Sequence, residues 1–233
     1  MEDLRVLAKA RVPKPFYDYV DAGSWSESTY HANERDFASI KLRQKVLVNI
    51  EKRSLATKML GQNVAMPLAL APCGFGGMMW TNGEIEAARA AEDFGVPFTL
   101  STMSINSIED VAENTTAPFW FQLYVMRDRG YVRNLISRAR AAGCSALVLT
   151  ADLQVIGQRH KDIKNGLTLP PQPSLQSLVH LITRPRWCFS QLGAKRWTFG
   201  NIVGHHPMAK SMLNLSEWTA AQVSVFKSAL THA

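Results

Sequence analysis

The stretch FWFQLYV, residues 119–125, decides the fold class. Phe119, Trp120, Phe121, Leu123 and Val125 are apolar and strongly strand-forming, as in a strand covered on both faces. Gln122 and Tyr124 interrupt them, two residues apart and so on one face of the strand. Three more apolar runs share this form: MPLALAP (66–72), VPFTLS (96–101) and ALVLTAD (146–152). Helical patterns separate them. Thr81-x-x-Glu84 and Ser107-x-x-Asp110 have the form of capping boxes at helix starts. Val132, Leu135, Ile136 and Ala139 have the spacing of a buried helical stripe, which Gly143 would end. Strand, helix, strand, helix is the beat of repeated βα units and predicts an α/β fold with a parallel sheet.

The polar residues gather at the C-terminal ends of these runs, where parallel α/β folds place their sites. Pro72-Cys73-Gly74 follows the first run, Ser101-Thr102 closes the second, Gln122 and Tyr124 come late in the third, and Thr150 and Asp152 end the fourth. APCGFGGMM only loosely imitates the glycine fingerprint of a dinucleotide-binding open sheet, so a barrel mouth fits better. Gln122/Tyr124 and Thr150/Asp152 are each spaced by two and would converge on the barrel interior near its upper rim. An amide, two hydroxyls and a carboxylate there could hydrogen-bond a flat heterocycle. Taken singly, each could instead satisfy loop backbone at a strand end.

Composition narrows the classes further. With 46% hydrophobic and 19% charged residues in 233, the chain reads as globular, and no apolar run reaches the length of a membrane span. MEDLRVLAKARVPK has no apolar signal core, so the cytoplasm is expected. The three cysteines lie far apart and outline neither a disulfide framework nor a metal site. The net charge of +7 is concentrated: no acid occurs between Ile163 and Ser216, a stretch holding Lys164, Arg184, Arg186, Lys195, Arg196 and Lys210. A nucleic-acid footprint across the whole protein is therefore not expected.

Several runs together resemble the FMN-dependent 2-hydroxy-acid dehydrogenase and oxidase family, which includes L-lactate dehydrogenase, mandelate dehydrogenase and glycolate oxidase. They are VPKPFYDYVDAGSWSE, NERDFASIKLRQKVL, MPLALAPCGFGGMMWTNGE, TLSTMSINSIEDVA, FWFQLYVMRDR and ALVLTADLQVIGQRHKDIKNG, nearly continuous over residues 5–170. The resemblance implies a TIM (β/α)8 barrel with FMN at its C-terminal mouth, oxidising an (S)-2-hydroxy acid to the 2-keto acid. It implies that Tyr19 and Arg159 bind the substrate carboxylate and that Tyr124 lies over the substrate. Pro72, Cys73 and Gly74 would run along the flavin ring, and Ser101, Gln122 and Thr150 would hydrogen-bond it. Asp152 would stabilise the catalytic imidazolium. Gly74 looks more like the dehydrogenase branches than the oxidases, and Met103 stands where some members carry tryptophan, leaving substrate preference open.

The family's base is a histidine in a run like HGGRQ, which the sequence does not contain. Nor does it contain the fifth-strand lysine or the late Gly/Arg phosphate grip. His31, His160, His180, His205, His206 and His232 lie outside that pattern and are read as surface or loop residues. The expectation is a partial barrel: about four βα units and an N-terminal helical segment over 1–162, a basic aromatic insert over 163–216, and a divergent tail over 217–233. That tail, ending VSVFKSALTHA, has the look of a shifted frame or an early stop. Such a half-barrel would leave raw sheet edges and an exposed inner face. Within the insert, residues 174–212 interleave Trp187, Phe189, Trp197 and Phe199 with Arg184, Arg186, Lys195 and Arg196. That pattern suits an anionic bilayer surface, and membrane-associated family members carry an insert in this place. A solvated active-site loop is the other reading. The resemblance further implies a quinone or other electron acceptor, frequent homo-oligomers, and a peripheral place on the inner face of the cell membrane. Two other readings stand beside the enzyme: an inactive half-barrel binding at most flavin or lipid, and an unrelated phosphate-binding barrel.

Overall fold

Three of the four expected strands form in the computed structural model, which describes residues 2–151, 157–167, 175–206 and 209. Helices α1 (Glu2–Arg11), α2 (Lys14–Val20) and α3 (Ser28–Arg35) come first, followed by a 3-10 turn at Asp36–Ser39. A hairpin of β1 (Thr57–Met59) and β2 (Gln62–Val64) comes next, then α4 (Gly76–Met79) and α5 (Gly83–Phe94). The alternating part runs β3 (Thr99–Ser101), α6 (Ile108–Ala112), β4 (Trp120–Tyr124), α7 (Arg129–Ala141) and β5 (Ala146–Thr150). Helices α8 (His160–Lys164), α9 (Leu175–Ile182) and α10 (Pro185–Leu192) follow.

Strands β3, β4 and β5 are parallel neighbours in that order, with Ser101 opposite Gln122 and Tyr124 opposite Thr150. Among the described residues this is an arc and not a closed barrel. The run MPLALAP joins it at one point only, the parallel bridge of Leu70 to Phe98. Pro67 and Pro72 remove backbone donors on either side of Leu70, which limits pairing there.

One face of the arc carries Leu100, Phe121 and Leu123, all buried, in a core with Ile85, Ala88 and Ala91 of α5, Ile108 and Val111 of α6, and Val132, Leu135 and Ala139 of α7. Each leucine, isoleucine, valine or phenylalanine among them contributes about 1.5–3 kcal/mol on burial, the alanines less. The α7 stripe is thus the expected one, and Gly143 takes the left-handed conformation after the helix. The Ser107–Asp110 capping box is formed in full, with the Ser107 side chain accepting from the Asp110 N–H and the Asp110 side chain from the Ser107 N–H. The Thr81–Glu84 box is not. Helix α5 begins after a left-handed Asn82 with no side-chain cap, and Glu84 turns inward to accept from the Ile105 N–H at 2.9 Å. The cause is the close approach of α4 and α5: a Cβ at Gly83 would stand 2.4 Å from the Gly76 carbonyl oxygen.

The β1–β2 hairpin was not expected from the sequence. It turns on Leu60 and Gly61, both at positive φ, a geometry that matches the twist of a tight hairpin. The Trp120 indole N–H donates to Gln62 at 3.4 Å, so the hairpin lies at the N-terminal end of the sheet and leaves the C-terminal end clear. The inner face is also less exposed than expected: Thr99, Ser101, Trp120 and Gln122 are buried. Exposure falls instead on the outer face of β5, where Leu147 is 46% and Leu149 61% exposed.

The basic segment is divided by the fold. Trp187 and Phe199 are buried, while Phe189 and Trp197 are exposed. The Trp187 indole N–H donates to the Met78 carbonyl at 2.8 Å, and the Gln191 amide donates to Gly77 O at 3.0 Å, so α10 satisfies carbonyls of α4. Trp187 also stacks on Phe16. Lys195 and Arg196 both pair with buried Asp110. Phe199 and Ile202 join the core of the α/β part. His206 is buried against the Tyr131 ring, a departure from the surface reading of the histidines, because the 198–206 stretch is drawn in around Asn201. Residues 217–233 and His232 lie outside the described residues.

Candidate active site

The C-terminal ends of β3, β4 and β5 carry one continuous hydrogen-bonded row. The Gln122 amide is its centre. Its Oε1 accepts from the Ser101 hydroxyl and from the Thr102 N–H, each at 3.2 Å. Its Nε2 donates to the Thr150 hydroxyl at 2.7 Å. The Ser101 oxygen also accepts from the Met103 N–H at 3.1 Å. Alternation explains the row, since Ser101, Gln122, Tyr124 and Thr150 occupy register positions whose side chains share one face. Thr102, read from sequence only as a polar residue at the end of its run, splices β3 to β4 just beyond. Its hydroxyl donates to the Gln122 carbonyl at 2.5 Å and accepts from the Tyr124 N–H at 3.3 Å.

The loop Pro72-Cys73-Gly74 runs past the β3 end of this row. A Cβ at Gly74 would meet both the Met103 carbonyl and the Tyr19 hydroxyl at 3.3 Å, so glycine lets the backbone lie flush there. Pro72 and Cys73 are exposed. Phe75, at positive φ, packs edge-on against Tyr19 with centroids 5.0 Å apart. Behind the loop stands Glu84, which sequence reasoning misplaced. Burial pushes its carboxyl up, while the backbone amides of Ile105 and Gly77 oppose that shift.

Tyr19 and Arg159 meet although 140 positions separate them. The guanidinium carbon of Arg159 lies 4.7 Å from the centroid of the Tyr19 ring, a cation–π contact, and its Nη2 donates to the Tyr19 carbonyl. Burial raises the Tyr19 phenol, opposed by the charge of Arg159. The segments are stitched together on both sides of this contact. The Trp25 N–H donates to Gln158 O at 2.9 Å, Lys161 pairs with Glu27 at 3.0 Å, and the Asn165 amide donates to Asp18 at 2.7 Å. Asp162, also missed from sequence, holds the Arg159 Nε at 2.6 Å.

Nine of the ten expected site residues therefore fall into two linked groups: the Ser101–Gln122–Thr150 row with Tyr124, and the Tyr19–Arg159 pair beside Pro72–Gly74. Asp152 lies outside the described residues. A flat heterocycle with donor and acceptor edges fits the first group. The Thr150 hydroxyl accepts from Gln122, which leaves its hydrogen to donate outward, and Gly74 offers no side chain to obstruct a ring. An anionic substituent fits the second, where Arg159 is partly exposed. Among the described residues no cluster of three metal-ligating side chains occurs.

Comparison with known proteins places the chain in a family. The family profile described as "FMN-dependent dehydrogenase" matches residues 8–230. An L-lactate dehydrogenase of Xanthomonas campestris pv. campestris (strain B100) is 43% identical over 220 residues, which cover 94% of this chain and 57% of that protein. An L-lactate dehydrogenase of Azorhizobium caulinodans is 42% identical over 223 residues, covering 94% and 58%. Among solved structures, the monotopic membrane protein (S)-mandelate dehydrogenase superposes with a TM-score of 0.86 at 33% identity, covering 95% of this chain and 59% of that one. The chain thus spans somewhat over half the length of these relatives.

Proposed function

The chain belongs to the FMN-dependent dehydrogenase family, and from that membership we propose that it carries the flavin-ring and substrate-carboxylate portions of an (S)-2-hydroxy-acid dehydrogenase. The observation that carries the reading is the Ser101–Gln122–Thr150 row, which spans three strands at the sheet's C-terminal end beside the Tyr19–Arg159 pair. Bound FMN supplies the two-electron acceptor for the oxidation. Gln122, Ser101 and Thr150 would hydrogen-bond its ring, and the Pro72-Cys73-Gly74 backbone would run along it. Tyr19 and Arg159 would hold the carboxylate of a lactate- or mandelate-like acid, with Tyr124 over the substrate. Asp152 orients the imidazolium that forms when a histidine takes the hydroxyl proton. That histidine belongs to a run absent from the 233 residues, so binding and positioning are their share of the chemistry.

A planar dianion shaped like the product tests the reading. Oxalate added to FMN-loaded protein shifts the visible flavin spectrum saturably, and the shift is lost in Arg159→Met. An unperturbed spectrum at millimolar oxalate overturns the assignment of Tyr19 and Arg159.

We further propose a peripheral membrane location through α9 and α10, with a quinone as electron acceptor. Val179, Ile182, Phe189 and Leu192 are exposed there, with Arg184 and Arg186 between them. The (S)-mandelate dehydrogenase of similar structure is a monotopic membrane protein. Among the described residues no helix is long and apolar enough to cross a membrane, so the contact would be interfacial. Flotation with phosphatidylglycerol vesicles at low salt captures the protein, and Phe189→Glu with Leu192→Glu abolishes capture. Equal capture of both proteins removes the proposal.

A further inference from the structure

We propose that Asp162 is a positioning residue that fixes the Arg159 guanidinium over the Tyr19 ring and so sets the affinity of the site for carboxylate ligands. The inference rests on the assignment of Arg159 to the substrate carboxylate and adds the residue that governs it.

Three observations carry it. The first is local: Arg159 is the residue before α8 and Asp162 stands in its first turn, so the turn itself brings the two side chains face to face, Nε to Oδ2 at 2.6 Å. The second is burial. The Asp162 side chain is 10% exposed against 33% for Arg159, and Asp162 Oδ1 is buried without a hydrogen-bond partner among the described residues. Arg159 is the cation that compensates this carboxylate. Swinging the guanidinium away would leave a buried charge uncompensated, so the pair is held together. The third is geometry. With Nε in ion-pair contact with Asp162, without a hydrogen bond of its own, and Nη2 donating to the Tyr19 carbonyl, the guanidinium is held from two sides, its central carbon 4.7 Å from the Tyr19 ring centroid. A substrate carboxylate then meets an arginine that needs no further ordering, which is how preorganisation raises affinity.

Other charges near the pair do not take over its role. Lys161 is engaged by Glu27, and Asp18 by Lys14 and the Asn165 amide. Burial, the largest effect, and the negative charge of Asp18 push the Asp162 carboxyl up, while Arg159 pulls it down. Arg159 is thus the cation that faces Asp162, and Asp162 the group that keeps Arg159 in place.

The test uses the 233-residue chain in two measurements. In the first, arginine side-chain NMR of the ligand-free protein follows the Arg159 Nε and Cζ resonances, which move in Asp162→Asn because the ion-pair partner is lost. Resonances that stay in place overturn the pairing whatever the protein binds. In the second, calorimetric titration of FMN-loaded protein gives the oxalate Kd. Asp162→Asn weakens it at least 10-fold, and Asp162→Glu restores part of the loss. An unchanged or tighter Kd in Asp162→Asn overturns the inference, because Asp162 would then be idle or a competitor for Arg159. Wild-type protein that binds no oxalate sinks the functional reading itself, and the affinity claim with it. Wild-type binding with an indifferent Asp162→Asn sinks the inference alone.

Discussion

Glu84 shows how one buried carboxylate can be mistaken at the level of sequence. Three residues after Thr81 it has the spacing of a capping partner, but its carboxylate accepts from Ile105 instead, against Gly76 and Gly77. Only the approach of α4 to α5 decides between these roles, and no local pattern encodes that approach. Burial raises the Glu84 carboxyl above its ordinary value. A raised folded-state value means that its contribution to stability is present below the unfolded value and lost as pH rises through the folded one. Thermal melts between pH 4 and 8 should therefore decline more steeply for the wild type than for Glu84→Gln; parallel curves contradict the assignment. The acids of α6 behave in the opposite sense. Hydrogen bonds from Arg138 lower the Glu109 carboxyl to about 2. Burial alone would raise Asp110, but Lys195, the Ser107 N–H and Arg196 together hold it well below the usual range. Stability from these groups is lost as pH falls from the ordinary carboxylate range, 4.5 for a free glutamate, through about 2 for Glu109. Asp110→Ala removes a cap partner and two ion pairs and should cost about 2–3 kcal/mol by urea denaturation.

At the scale of elements, β4 and β5 were legible because a buried parallel strand with polar residues two apart has few other readings. Their register then brought Ser101, Gln122 and Thr150 together without any long-range information. The hairpin at Thr57–Val64 was not legible, since Leu60-Gly61 lacks the Asn-Gly or Asp-Gly signature and its strands are three residues long. Helix α10 was legible only as composition. Its aromatic and basic residues suit a bilayer, but the Trp187 indole and Gln191 amide go to carbonyls of α4, 109 and 114 positions earlier in the sequence. Trp187→Ala should therefore destabilise the protein by about 3–5 kcal/mol, and hydrogen exchange should rise first in α10 and α4. Exchange confined to α10 would show that the helix merely rests on its neighbour.

Across the whole molecule, apolar surface among the described residues faces solvent in places besides α9 and α10. Leu147 and Leu149 lie on the outer face of edge strand β5, and Leu42, Val46, Leu47 and Ile50 project from the extended stretch after α3. Exposed apolar area of this kind drives association. Sedimentation should show self-association that rises with concentration and falls in the Leu147→Lys, Leu149→Lys double variant; the same distribution for both proteins contradicts this. The site has the same partial character, with the groups proposed to bind the ring and the carboxylate present and the family's histidine run absent from the 233 residues. L-Lactate should therefore fail to bleach FMN-loaded protein made from these 233 residues. The central claim is that the row across β3, β4 and β5 is a flavin site, and it is tested most directly by titrating FMN with the protein and following flavin fluorescence. Saturable binding at one FMN per chain, weakened at least 10-fold in Gln122→Leu with the melting temperature preserved, is the predicted result. Absence of saturable binding, or equal affinity in Gln122→Leu, would contradict it.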